Sequence, residues 1–182
     1  MLRFFSIFFL IILITYSNAE IKSKIIQNLK ETNNIDFNFE QNINGKIEKG
    51  NCTVEYQKKI FCEYDINNNK ILVSNGKSLV IKTKTSYYRY PIEKTPLNLI
   101  LDKNYLIKKI NELDERIIDK NLINFTILER DSEINIFFDN QTYDLIGWQN
   151  TDAYQNFNIT FLSLVSKNRN LPKNLFKLPI QN

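Results

Sequence analysis

The stretch Gly50-Asn51-Cys52-Thr53-Val54-Glu55-Tyr56-Gln57-Lys58-Lys59-Ile60-Phe61-Cys62-Glu63-Tyr64 decides how the rest of the chain is read. Cys52/Val54/Tyr56 and Ile60/Cys62/Tyr64 are two period-2 series on either side of a polar break at Gln57-Lys58-Lys59. Period 2 puts each series on one face of a strand. With the turn centred on Gln57, Cys52 falls opposite Cys62 and Val54 opposite Ile60, so both series share one face of a hairpin. A second hairpin follows, Lys70-Ile71-Leu72-Val73-Ser74 and Lys77-Ser78-Leu79-Val80-Ile81 around Asn75-Gly76. Asn-Gly between apolar runs predicts a type I′ turn, with φ > 0 at both residues. Thr95-Pro96-Leu97-Asn98-Leu99-Ile100-Leu101 then reads as a cap, a proline at the first helical position and an apolar helical turn.

Working outward toward the N-terminus, Ile35-Asp36-Phe37-Asn38-Phe39-Glu40-Gln41 alternates as a strand. Ile21, Ile25, Ile26 and Leu29 share one face of a preceding helix that Asn33-Asn34 ends. Residues 1–19 carry the three parts of a secretory signal: Arg3, the apolar run Phe4 to Ile14, and Ser17-Asn18-Ala19 as cleavage site. The competing reading is a membrane anchor, but the run falls short of the roughly 20 apolar residues that span a bilayer. Cleavage after Ala19 would leave residues 20–182 as one domain outside the cytoplasm. No Cys stands at the cleavage point, so the chain is not expected to be a lipoprotein itself.

Toward the C-terminus, Thr85-Ser86-Tyr87-Tyr88-Arg89-Tyr90 reads as a strand whose tyrosines face a core or cavity wall, not as a base-stacking platform. Leu97, Leu99, Ile100 and Leu101 leave their short helix no clean polar face, so protein or ligand must cover it on several sides. A second helix, capped by Asp102, carries Leu106, Ile110 and Leu113 on one face. Both helices either fill the open side of a sheet or form a lid over a cavity. Ile123/Phe125/Ile127, Ile134/Ile136/Phe138, Tyr143/Leu145, Trp148 and Phe157/Ile159/Phe161 mark further short strands between polar turns. The pattern predicts a mainly β, antiparallel meander closing toward a barrel.

The order of these pieces resembles the outer-membrane lipoprotein carrier protein (LolA) family. The resemblance rests on a glycine opening a strand pair, on Ile71-Leu72-Val73-Ser74-Asn75-Gly76-Lys77-Ser78-Leu79, and on Thr95-Pro96 with Leu99-Ile100. Trp148-Gln149-Asn150-Thr151-Asp152 ahead of Asn158-Ile159-Thr160, and Leu171-Pro172 ahead of Phe176, Leu178 and Pro179, extend it over most of residues 35–180. It implies an incomplete, half-open β-barrel with a short helical lid. Such a protein takes triacylated lipoproteins from an inner-membrane ABC transporter, shields their acyl chains across the periplasm, and passes them to an outer-membrane receptor, using no cofactor. By position, Ile60 would stand near the mouth, Leu72 in the cavity and Ile100 on the lid. The expected wall is Val54, Tyr56, Ile60, Tyr64, Leu72 and Leu79, with Leu97 and Ile100 on the lid and a monomer as the working unit. Tyr56-Gln57 stand where the family often has Arg-Pro, whose Arg ties the lid shut. Lys58 or Lys59 would replace it only if the turn bends inward.

The two cysteines of an exported chain are expected to form a Cys52–Cys62 staple, since opposed strand positions lie close enough to bridge. Redox catalysis would want a C-x-x-C spacing, and a zinc site more ligands. The sequence has no His, which excludes His-based acid–base work and the usual triads. Its four Gly form no phosphate-binding loop. The formal charge of +4, or +3 without Arg3, is no nucleic-acid footprint. Lys58-Lys59 and Lys82/Lys84 either solubilise turns or steer acidic partners. Two other classes compete with the carrier: a lipid-binding sensor of the same fold, and an enzyme with two converging carboxylates.

Overall fold

The computed structural model describes residues 19–66, 68–118, 120–129, 132–151 and 157–181. The leader expected at residues 1–19 lies outside them except for Ala19. Helix α1 (19–31) buries Ile25 and Leu29 and leads into the strands β1 Asn34–Ile43, β2 Lys46–Glu55, β3 Lys59–Tyr64, β4 Ile71–Asn75, β5 Ser78–Lys82 and β6 Tyr87–Pro91. A 3₁₀ turn (Ile92–Lys94), α2 (Leu97–Ile100) and α3 (Lys103–Glu112) follow. The chain returns to strands at β7 Arg116–Ile118, β8 Leu122–Glu129, β9 Ser132–Asp139, β10 Leu145–Thr151 and β11 Phe157–Lys167.

All eleven strands belong to one sheet, in the order β6-β5-β4-β3-β2-β1-β11-β10-β9-β8-β7, and every pairing is antiparallel. The sheet is two meanders joined where β1 meets β11. It does not close, because β6 and β7 are its two edges. Those edge strands are consecutive in the chain, so the segment joining them, with α2 and α3, must cross the open side. The lid is thus a consequence of topology: the barrel stays incomplete and its helices strap the gap. Bulges between Asp36 and Asn38 and between Leu145 and Gly147 bend the sheet locally.

The first hairpin has the expected register, with Cys52 opposite Cys62 and Val54 opposite Ile60. Its three-residue loop ends on Lys58 at φ 70, the left-handed residue that such loops place before the returning strand. The second hairpin forms, but its turn differs from the expected type I′. Ser74 pairs with Leu79, which leaves Gly76-Lys77 at the centre, and only Gly76 has positive φ (90). Glycine at the first central position is the type II′ arrangement. Asn75 acts through its side chain instead, its Oδ1 accepting from the N–H groups of Lys77 and Ser78 at 3.0 Å each.

Two further expectations are corrected. Thr95 does not cap α2: its hydroxyl donates back to the Ile92 carbonyl at 2.8 Å, closing the 3₁₀ turn, and α2 starts from Pro96. Asp102 does cap α3, its carboxylate accepting from the Tyr105 N–H at 3.0 Å. The tyrosines of β6 do not line a core, since Tyr88 is 53% and Tyr90 44% exposed. An edge strand has no neighbour beyond it, and strand propensity alone does not distinguish edge from centre.

Candidate functional site

One register row builds the floor of the site. Phe37, Cys52, Cys62, Leu72 and Ile81 stand opposite one another on β1 to β5, so their side chains share the inner face. All five line a cavity of about 320 Å³ between the sheet and the lid. Ile60 and Leu79 from the adjacent row and Trp148 from β10 add to the wall. Leu97 and Ile100 of α2, with Pro96 before it, cover the floor from above. Among the described residues, none of β7, β8 or β9 lines this cavity.

Of the residues singled out in the sequence, Ile60, Tyr64, Leu72 and Leu79 on the wall and Leu97 and Ile100 on the lid are brought together here. Val54 and Tyr56 are placed elsewhere. Val54 is packed in the core next to this space, and Tyr56 faces a separate small hollow against α1 with Leu29 and Asp144. The reason is the position of Tyr56 in the loop, where the alternation of β2 has ended at Glu55.

Cys52 and Cys62 are disulfide-bonded and themselves part of the cavity wall. Gly50 has a second role beside them. A Cβ there would come within 2.9 Å of the Phe39 ring and collide with the Glu63 carbonyl, so only glycine fits. Phe39 and Tyr64, the cross-strand neighbours of Gly50, instead meet edge to face at 5.0 Å. Burial pushes the Tyr64 phenol well above its ordinary pKa, with the Glu48 charge adding to the effect, so this wall stays neutral.

The lid is held at the first hairpin. The Lys58 N–H donates to the carbonyl of Leu101, at the end of α2, at 3.0 Å. The Lys58 ammonium lies 3.2 Å from the Asp102 carboxylate that caps α3. The Lys58 carbonyl in turn accepts from the buried Ser74 hydroxyl at 2.7 Å. The turn therefore bends inward, and Lys58 ties hairpin to lid at a place where Tyr56-Gln57 supply no Arg. Lys59 pairs instead with Glu55 at 2.9 Å.

Sequence reasoning missed the polar end of the cavity. The apolar series Phe157/Ile159/Phe161 of β11 faces outward, with Phe157 41% and Phe161 45% exposed. The alternate residues Asn158 and Thr160 point in and line the cavity with Gln41 and Asn150. Nearby, Glu48 is buried and held by Lys46 (2.8 Å) and Lys70 (2.5 Å), and Lys70 also covers the Tyr64 ring. Burial alone would raise the Glu48 pKa, but hydrogen bonds and charge from the two lysines outweigh it and hold the pKa below 4.5.

Among the described residues, no group of three or more His, Cys, Asp or Glu side chains converges as a metal site. The site offers a half-open, mainly apolar space under a strapped lid, with one polar end.

Comparison with curated proteins found no match. Among solved structures, an uncharacterized conserved protein from Thermus thermophilus has the same fold at TM-score 0.53 and 8% identity, over 91% of this chain and 96% of that one. MucB aligns at TM-score 0.50 and 7% identity, over 90% of this chain and 63% of its own. A LolA superfamily protein from Nitrosomonas europaea aligns at TM-score 0.49 and 9% identity, over 88% and 97% of the two chains. Likeness at such identities concerns the fold alone. The sequence match is more specific: residues 23–179 fit the family described as outer membrane lipoprotein carrier protein LolA, and the chain belongs to that family.

Proposed function

We propose that this protein is an extracytoplasmic carrier that shields the acyl chains of lipoproteins in the cavity under α2. It would receive triacylated lipoproteins from an inner-membrane ABC transporter and release them at the outer membrane, acting without cofactor or catalysis. A cleaved leader at residues 1–19 would bring it to the periplasm. The observation that carries this reading is the neutral, apolar row Phe37, Cys52, Cys62, Leu72 and Ile81 facing Leu97 and Ile100 across a half-open cavity. Acyl chains need no directional contacts there, since each buried CH₂ contributes about 0.8 kcal/mol.

The size of the space supports a moving lid. About 320 Å³ lies at the lower end of the roughly 300–1,000 Å³ typical of drug-sized ligands. Three fatty chains exceed it, so burying them fully would require α2 to lift from Ile60 and Leu72. The Lys58 contacts with Leu101 and Asp102 are those that would have to yield.

The test is native mass spectrometry of protein recovered from its own cells without detergent. A one-to-one adduct with triacylated N-terminal Cys peptides, lost in Leu72→Glu, is the expected result. Recovery of ordinary phospholipid bound equally by wild type and variant would overturn the lipoprotein assignment and favour a lipid-binding sensor.

A further inference from the structure

The polar end of the cavity is not needed to hold hydrocarbon. Thr160 sits on β11 directly opposite Gln41 of β1 and Trp148 of β10. It is 3% exposed, lines the cavity, and its hydroxyl has no hydrogen-bond partner among the described residues. A buried hydroxyl left unpaired is costly, and native structures rarely leave one without a reason. Its neighbours are settled otherwise: the Gln41 amide donates to the Asn158 side chain at 2.9 Å. Buried Asn150, opposite Asn158, completes a polar wall with no formal charge. The cavity-lining cation, Lys70, is already engaged by Glu48 and the Tyr64 ring.

We infer that Thr160, flanked by Gln41, Asn150 and Asn158, is a docking point for a neutral hydrogen-bonding head, an ester, amide or hydroxyl group carried on an acyl chain. A threonine hydroxyl both donates and accepts, so it suits a carbonyl or an alcohol equally. An anionic head is disfavoured, because a desolvated charge needs an opposite charge and this wall of neutral side chains supplies none. The bound amphiphile therefore lies with its polar linkage at β10–β11 and its chain along the row from Phe37 to Ile81. This inference rests on the acyl-binding reading above and adds an orientation and a head-group selectivity to it.

The test is displacement of a fluorescent apolar probe, N-phenyl-1-naphthylamine, from the purified, delipidated protein. Three competitors of equal chain length are compared: 1-monolauroylglycerol, laurate and dodecane. Monolauroylglycerol is expected to displace the probe at a concentration about tenfold below laurate. Thr160→Val should raise the monolauroylglycerol concentration needed by roughly three- to tenfold, the worth of one hydrogen bond. The same variant should leave dodecane and the probe unchanged, and Thr160→Ser should restore the wild-type value. Equal loss for monolauroylglycerol and dodecane in Thr160→Val would overturn the head-group site and leave acyl binding intact. Laurate binding as well as the glyceride would overturn the neutrality of the head. Failure of all three competitors to displace bound probe would remove the acyl-binding reading and this inference with it.

Discussion

The strands β2 to β5 and the strands β8 and β9 both present apolar inner faces, yet only the first group lines the cavity. In β8 and β9, Ile123 faces Phe138, Phe125 faces Ile136 and Ile127 faces Ile134, and the two Phe rings meet edge to face at 6.0 Å. Tyr105 and Lys109 of α3 both bind Glu129 at the end of β8, fixing that helix to that strand end. In β2 to β5 the inner face is made of smaller groups, a disulfide and single aliphatic residues, under a helix of four residues. One half thus resembles an ordinary filled core, and the other a container whose walls are held by tethers. The lesson is that a binding space here comes from how the opposite face is covered, not from a different kind of strand.

The two halves should respond unequally to a pair of identical truncations. Ile136→Ala should cost about 4 kcal/mol and Ile60→Ala only about 2 kcal/mol, because Ile60 already borders empty space and has fewer contacts to lose. Denaturant midpoints of the two variants check this, and equal losses would mean that the halves are packed alike. The disulfide comes next. Replacing Cys52 and Cys62 together by Ala, opening a loop of sequence separation 10, should lower stability by about 2–3 kcal/mol. Reduction of the wild type with dithiothreitol should give the same shift in the denaturant curve.

The buried carboxylate of Glu48 gives a smaller, pH-dependent effect. Glu48 has its folded-state pKa depressed by Lys46 and Lys70, so its contribution is complete above its ordinary value near 4.5. The contribution is lost as pH falls from there through the depressed value. Glu48→Gln should therefore lower stability at pH 7 and flatten the acid limb of a stability–pH curve measured by urea unfolding. The smallest effect is at the clasp. Lys58→Met removes a partly exposed ion pair worth about 0.5 kcal/mol but keeps the backbone hydrogen bond. Its signature should be faster release of a bound acyl probe in stopped-flow, with thermal stability nearly unchanged.

Most of the container was legible because its register follows from a few residues. Cys52/Val54 against Cys62/Ile60 fixes β2 on β3, and the glycine of Asn75-Gly76 fixes β4 on β5 even though the turn type differs. What stayed hidden has a common cause. Period 2 shows that the two faces of a strand differ, but not which one is inward. In the first half of β11 the apolar Phe157, Ile159 and Phe161 face out while Asn158 and Thr160 face in, so Thr160 and Asn158 carried no signal in the sequence. The tyrosines of β6 were misplaced for the reverse reason: their apolar character suggested a covered face, and only the strand order shows that β6 is an edge. The inward bend of the 56–58 loop depends on Ser74 and Leu101, 16 and more residues away, and no local pattern encodes it.

The crossing of the lid from β6 to β7 has a mechanical consequence. In a closed barrel, strand number and shear set the bore, and it is not adjustable. Here both ends of the strap are sewn to the two free margins of the sheet, so raising the strap would also part the margins. The bore is then a variable, drawn tight or let out like a purse by its string.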